Sequence, residues 1–237
     1  MSNQKIEYLP WDSEFFGKKT GRFFADKTSG LVTVLTEAVN AGYGLIYVFG
    51  NENFYVNEKL LLQFNGHLAC RKVLFEKEIK ISKEPSTAIP EYNNNELTPE
   101  LEQLAYESGK YSRFKSDKNF RKDDFFRMYR KWIENSIKKQ IADHVFVAKE
   151  NNSIKGMVTL KTDAQKGHIG LLSVLPETQG KGYGTALITA CENELFRKGV
   201  FKLEVPTQED NTQACNFYKK YGFEIKKTTV IYHFWLL

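Results

Sequence analysis

The segment that most restricts the fold lies between residues 168 and 198. His168 to Leu175 reads as a buried strand that Pro176 ends, and three glycines then alternate in Gln179-Gly180-Lys181-Gly182-Tyr183-Gly184. Behind them Leu187, Ile188, Cys191 and Leu195 share one face of a helix, which is read over 184–198 and closed by Gly199. Strand, glycine loop and helix in this order predict a crossover unit in a sheet. Glycines there can adopt backbone angles closed to other residues and admit a bulky group close to the main chain. Successive N–H groups can then converge on an anion, with the positive end of the helix dipole behind them. A flexible turn is the plainer reading of the same residues. Two nucleotide motifs fail here: the P-loop spacing is absent, and a dinucleotide fingerprint would need glycine where Thr185 or Leu187 stands.

Around this unit the chain reads as two halves. The first is a small α/β unit: strands over 5–9, 21–24, 45–49 and 69–81, helices over 31–39 and 57–64, and an aromatic turn, WDSEFFG, over 11–17. Residues 82–99 hold three of the six prolines and an asparagine run, which predicts a linker. In the second half Thr98 and Pro99 start a helix to Ser108. Phe125, Met128, Trp132, Ile133 and Ile137 form the apolar stripe of another over 123–139. Strands over 144–149 and 157–161 flank a turn at Asn151-Asn152, and a strand at 201–205, a helix at 211–221 and a strand at 230–236 complete the pattern. The expected class is mixed α/β, divided into an N-terminal domain 1–84, a linker 85–97 and a second domain 98–237. No repeat of fixed period is evident.

Composition narrows the function. The net charge of +5 comes from basic residues interleaved with acids, which suits a solvated surface or small polyanions and, without a nucleic-acid motif, not nucleic acid. Cys70, Cys191 and Cys215 are scattered, so neither a disulfide framework nor a metal cluster is expected. With no apolar signal core and no stretch long enough to span a bilayer, the expectation is a cytoplasmic protein with no membrane partner.

At Gln179, Gly182 and Gly184 the loop fits the pattern Q/R-x-x-G-x-G/A of the GNAT superfamily of N-acetyltransferases. His168 to Pro176 resembles that family's fourth strand, and Asn211 to Phe223 resembles its N-x-x-A-x-x-x-Y-x-x-x-G-F segment. The resemblance covers roughly 95–237. The segments 9–17, Ser112-Arg113-Phe114 and 132–135 further resemble the bacterial TDP-fucosamine acetyltransferase group, whose members also carry a small N-terminal domain.

The resemblance implies a GNAT fold with a partly splayed sheet, and acetyl-CoA as co-substrate without a metal. It implies an acceptor amine on a nucleotide-linked amino-deoxysugar, in surface polysaccharide synthesis. A homodimer is compatible with it. A protein or peptide acceptor, and a non-enzymatic acyl-CoA sensor, remain as alternatives. It places Leu171, Leu172, Ser173, Val174, Gln179, Gly180, Lys181, Gly182, Tyr183, Gly184, Thr185, Asn211 and Cys215 against the cofactor. Tyr218 is the expected general acid, with Tyr221 as its rival. Ser112, Arg113 and Phe114, with the helix carrying Arg127 and Arg130, belong to the acceptor side, where Arg113 could pair with a diphosphate. Arg113 also reads as an ordinary solvated arginine. The general base is open between His168, Glu177, His144 and water.

Overall fold

The computed structural model describes residues 5–80 and 89–236. The first half contains β1 (Glu7–Tyr8), α1 (Pro10–Phe16), β2 (Thr20–Ala25), α2 (Leu31–Asn40), β3 (Leu45–Asn51), α3 (Glu58–Gln63) and the long β4 (Gly66–Glu78). The second supplies α4 (Pro99–Ser108), α5 (Arg113–Ser116), α6 (Asp124–Ile137), β5 (His144–Glu150), β6 (Ser153–Thr162) and β7 (Gly167–Val174). After a 3-10 turn (Pro176–Thr178) come α7 (Tyr183–Arg197), β8 (Lys202–Gln208), α8 (Thr212–Tyr221) and β9 (Glu224–Trp235).

Local chemistry sets these boundaries. The side chains of Asn57, Thr98 and Asn211 cap α3, α4 and α8 by accepting from the N–H groups of Leu60, Leu101 and Ala214. Asn151 and Asn152, both with positive φ (49° and 65°), make the tight turn between β5 and β6. The WDSEFFG segment is a helix rather than the expected aromatic turn. Pro10 occupies the first turn, where no N–H donor is needed, and Gly17 closes the helix at φ 65°. Residues 113–116 form one helical turn.

The nine strands of the described residues belong to one mixed sheet in the order β1-β2-β3-β9-β4-β8-β7-β6-β5. Two units of the same succession build it: β2-α2-β3-α3-β4 and β7-α7-β8-α8-β9. In each, the first two strands run parallel across a helical crossover. Each last strand joins the other unit: β4 pairs with β8, β9 pairs with β3, and β4 and β9 run antiparallel at the centre. The sheet is therefore continuous across the two expected domains. Of the expected linker, residues 85–88 lie outside the described residues, while Tyr92 donates its N–H to the Val145 carbonyl at the edge of β5 (2.7 Å).

One face of the sheet is covered by α2 and α3 in the first half and by α7 and α8 in the second, over cores that include Val48, Tyr232 and Phe234, and Phe75, Leu187 and Leu203. The opposite face carries α1, α4, α5 and α6. Of the aromatics of α1, Phe16 packs there against Phe114 and Phe120, on strands that include Tyr47 and Trp235. Burial of these apolar faces is the main stabilising term.

The candidate active site

The two crossover units differ at one place. β2 and β3 pair along their full length, from Thr20↔Leu45 to Ala25↔Gly50. β7 and β8 pair only at Gly167↔Leu203 and His168↔Glu204, and then separate. From Ile169 onward the edge of β7 that faces β8 has no strand partner, so its main-chain groups are available to an extended ligand. At the mouth of this opening lies a cleft of about 450 Å³.

The glycine loop forms one wall of the cleft. Gly180 and Gly182 sit at φ 80° and 85°, and Gly182 caps α7 in the left-handed conformation. A β-carbon at either would meet nothing within 4 Å, so these glycines answer to backbone conformation and leave open space beside the loop. Gly184 answers to packing: a β-carbon there would lie 3.2 Å from the Phe217 ring.

Most of the residues expected at the cofactor are brought together. Leu172, Ser173, Val174, Gln179, Gly180, Gly182, Tyr183, Gly184, Thr185, Asn211 and Tyr218 all line the cleft. Gln179 is fixed by donating to the Val174 carbonyl (3.2 Å) and accepting from Gln213 (2.7 Å). Asn211 both caps α8 and borders the cleft.

Three expected residues are placed elsewhere. Leu171 is buried in the core under α4 and α6, and its N–H donates to Thr159 Oγ1 (2.9 Å). Lys181 projects outward into an ion pair with Glu150 (2.9 Å). Cys215 packs beside the α7–α8 core with its thiol toward the Gln208 carbonyl (3.6 Å).

Tyr218 and its rival are distinguished by their partners. The Tyr221 hydroxyl donates to Glu192 Oε2 (2.9 Å) and lies 2.9 Å from the Thr189 hydroxyl. Tyr218 is 5% exposed, and its hydroxyl bonds to no protein group among the described residues. Burial pushes its phenol well above the usual tyrosine range, so it remains a donor at any working pH.

None of the three candidate bases lines the cleft. His168 sits at the closed end of β7, between Asp163 (2.8 Å) and Glu204 (3.3 Å). His144 lies on the far strand β5 between Glu91 and Glu194, both at 3.1 Å. Glu177 is exposed on the 3-10 turn. The acidic residue that does line the cleft is Glu107, near the end of α4, a position the sequence reading passed over.

The acceptor-side segment is not part of this cleft either. α5 packs on the central strands, where Arg113 donates to His233 Nε2 (2.8 Å) and stacks on Tyr47 and Phe114. Ser112 is buried beside it. Arg127 and Arg130 are engaged in ion pairs with Asp124, and with Glu102 and Glu134.

Residues 103–223, just over half of the chain, match the model of the acetyltransferase (GNAT) family. The chain belongs to that family. It is 33% identical over 85 residues to an acetyltransferase of Yersinia pestis (strain Pestoides F), a match that spans 36% of this chain and 60% of the relative. A protein of unknown function from Staphylococcus epidermidis shares the fold over 100% of this chain and 93% of its own, with a TM-score of 0.70 at 15% identity. A GCN5-related N-acetyltransferase of Sphaerobacter thermophilus does so over 96% and 75%, with a TM-score of 0.56 at 16% identity. Among the described residues no helix is long and apolar enough to cross a membrane.

Proposed function

We propose that the protein transfers an acetyl group from acetyl-CoA to a primary amine in a ternary complex. The observation that carries this reading is the opening between β7 and β8, with the glycine loop at its mouth and the unbound Tyr218 hydroxyl in its wall. The free β7 edge at Leu172 and Val174 holds the pantetheine amides as a sheet edge holds an added strand. The pyrophosphate lies on the loop and the start of α7.

Reaction follows from placement of the two substrates. The neutral amine attacks the thioester carbonyl; an N–C bond forms and the C–S bond breaks. The proton lost by the amine passes to Glu107, directly or through water. The departing thiolate takes a proton from Tyr218, which is reprotonated from solvent, leaving the amide and free CoA thiol. Its unengaged hydroxyl supports Tyr218 over Tyr221 for this role.

The acceptor is a nucleotide-linked amino-deoxysugar of the TDP type. This narrower reading is supported by the segments shared with the TDP-fucosamine acetyltransferase group. The deciding experiment is thiol release from acetyl-CoA with TDP-linked 3- and 4-amino-deoxyhexoses, simple amines and peptides. Fast release with one amino sugar, lost in Tyr218→Phe, is expected. Release with peptides alone would remove the sugar and keep the acetyltransferase.

A further inference from the structure

The opening between β7 and β8 has a second side, on the sheet face that carries α4 and α6, and both strands are built to keep it open. At the two ends of β8 the Phe201 carbonyl accepts from Ile79 N–H and Glu209 N–H donates to the Arg71 carbonyl, both at 2.8 Å. The odd-numbered residues of β8 therefore face β4, and the even-numbered ones face β7. Beyond Glu204, the last to pair with β7, the next of these is Pro206, which has no N–H to continue the ladder.

In β7 a bulge sets Gly170 and Leu171 opposite the single residue Thr159, between the pairs Leu160↔Ile169 and Val158↔Leu172. Thr159 Oγ1 closes it by accepting from Leu171 N–H (2.9 Å). The bulge turns Leu171 into the core under α4 and α6 and leaves Gly170 exposed, although β7 is an interior strand. The opening thus reaches this face at Gly170.

What borders Gly170 here is polar. A β-carbon on it would lie 2.9 Å from Thr159 Oγ1 and 3.6 Å from Trp132 Nε1 of α6, so any side chain would crowd Thr159 and cover the indole nitrogen. Trp132 is half-buried and held against Tyr129, with ring centroids 5.6 Å apart. Its N–H, which can only donate, bonds no protein group among the described residues. The hydroxyl proton of Thr159 bonds none either, since that oxygen is engaged as an acceptor. Two neutral donors beside an open glycine suit a hydroxyl or carbonyl oxygen; a phosphate is better met by charged donors.

We propose that Trp132, with Thr159 beside it, binds an oxygen carried next to the reactive amine of the acceptor, and that Gly170 leaves the room for it. The acceptor class is then an amine with a hydrogen-bond-accepting oxygen on the neighbouring carbon, an amino alcohol or an amino amide, and not an isolated alkylamine. This rests on the acetyltransferase reading above. With the pyrophosphate on the loop, the pantetheine arm runs inward past Val174 and Leu172, which brings the thioester toward Gly170 at the closed end of the opening.

The test compares thiol release from acetyl-CoA within two pairs of amines, at matched concentrations of the neutral form: trans-2-aminocyclohexanol against cyclohexylamine, and glycinamide against propylamine. In at least one pair the oxygen-bearing member is expected to have a kcat/KM about tenfold or more above its partner, and that pair identifies the oxygen as hydroxyl or carbonyl. In Trp132→Phe, which keeps a ring and loses the N–H, this ratio is expected to fall to near one, through KM. A packing role alone would lower both members and leave the ratio unchanged. Equal rates within both pairs, or a ratio that survives in Trp132→Phe, would overturn the proposal. No turnover of any amine would count against the acetyltransferase reading instead. The same pairs are then titrated calorimetrically into the CoA-saturated protein, where a preference lost in Trp132→Phe sustains the oxygen seat and the absence of one overturns it.

Discussion

Tyr218 and Tyr221 lie three residues apart on α8, yet only Tyr221 has its hydroxyl bound inside the protein, to Glu192 and within reach of Thr189. Both side chains line the cleft, and the Tyr218 hydroxyl has no protein partner among the described residues. Replacing Tyr218 by Phe is expected to lower kcat about a hundredfold, the lower end for a lost general acid, with CoA affinity nearly unchanged. Tyr221→Phe is expected to lower thermal stability by about 1 kcal/mol by leaving a buried acceptor short of a partner, with kcat within a few-fold. Stopped-flow thiol release and thermal melts on the two variants separate the roles.

The loop conformation gives a second test. Gly182 has φ 85° and Gly199, at the far end of α7, has φ 71°. Alanine at either position costs about 1–2 kcal/mol in the left-handed region. Both substitutions are expected to lower the melting temperature. Only Gly182→Ala is expected to weaken CoA, by roughly tenfold in a titration, because only that strain is relieved by moving N–H groups away from the anion.

The pH dependence of stability follows from His233. Its pKa falls from an ordinary 6.5 to about 3 on folding, chiefly through burial. Between these values the unfolded chain binds a proton that the native state does not, so stability is full above pH 6.5 and is lost as pH falls toward 3. Asp117, held low in the fold, adds loss in the same direction below its ordinary carboxylate range. Denaturant melts from pH 8 to pH 4 are expected to show this decline, and His233→Gln is expected to flatten it. A decline of the same slope in that variant would assign it to other groups.

Asn211 has a local role that can be separated from its place in the cleft. Its side chain accepts from the Ala214 N–H at 3.2 Å and starts α8, the helix that carries Tyr218. Asn211→Ala is expected to destabilise by about 1 kcal/mol, and Asn211→Ser to recover most of this. Chemical denaturation measures the difference.

The glycine loop and the helix that begins after Asn211 and carries Tyr218 were legible in the sequence, because each is set by residues within a dozen positions. α1 was not, since a seven-residue helix begun by Pro10 without a capping side chain looks locally like an aromatic turn. The pairing of β4 with β8 and β9 was hidden for another reason. Lys72 meets Gln208 and Thr229 across far more than a hundred residues, and no local periodicity encodes such partners. The two crossover units share an order of elements rather than residues, so no repeat was visible. The environment of Arg113 was equally hidden, since His233 and Tyr47 reach it only through that same pairing. Cys215, Lys181 and Leu171 were expected at the cofactor from their position in a motif, and which way a side chain leaves its backbone is decided by the packed core.

The exchange of β4 and β9 also sets an order of events for a chain made from its N-terminus. β4 is complete at Glu78, but both of its neighbours are synthesised more than a hundred residues later, and β9 ends only at Trp235. Throughout that interval a thirteen-residue strand has two unsatisfied edges, as does β3 on the side that β9 will cover. The nascent first half must be kept from pairing with other copies of itself until β9 has been made, a demand for holdase protection that ends when that strand takes its place between β3 and β4.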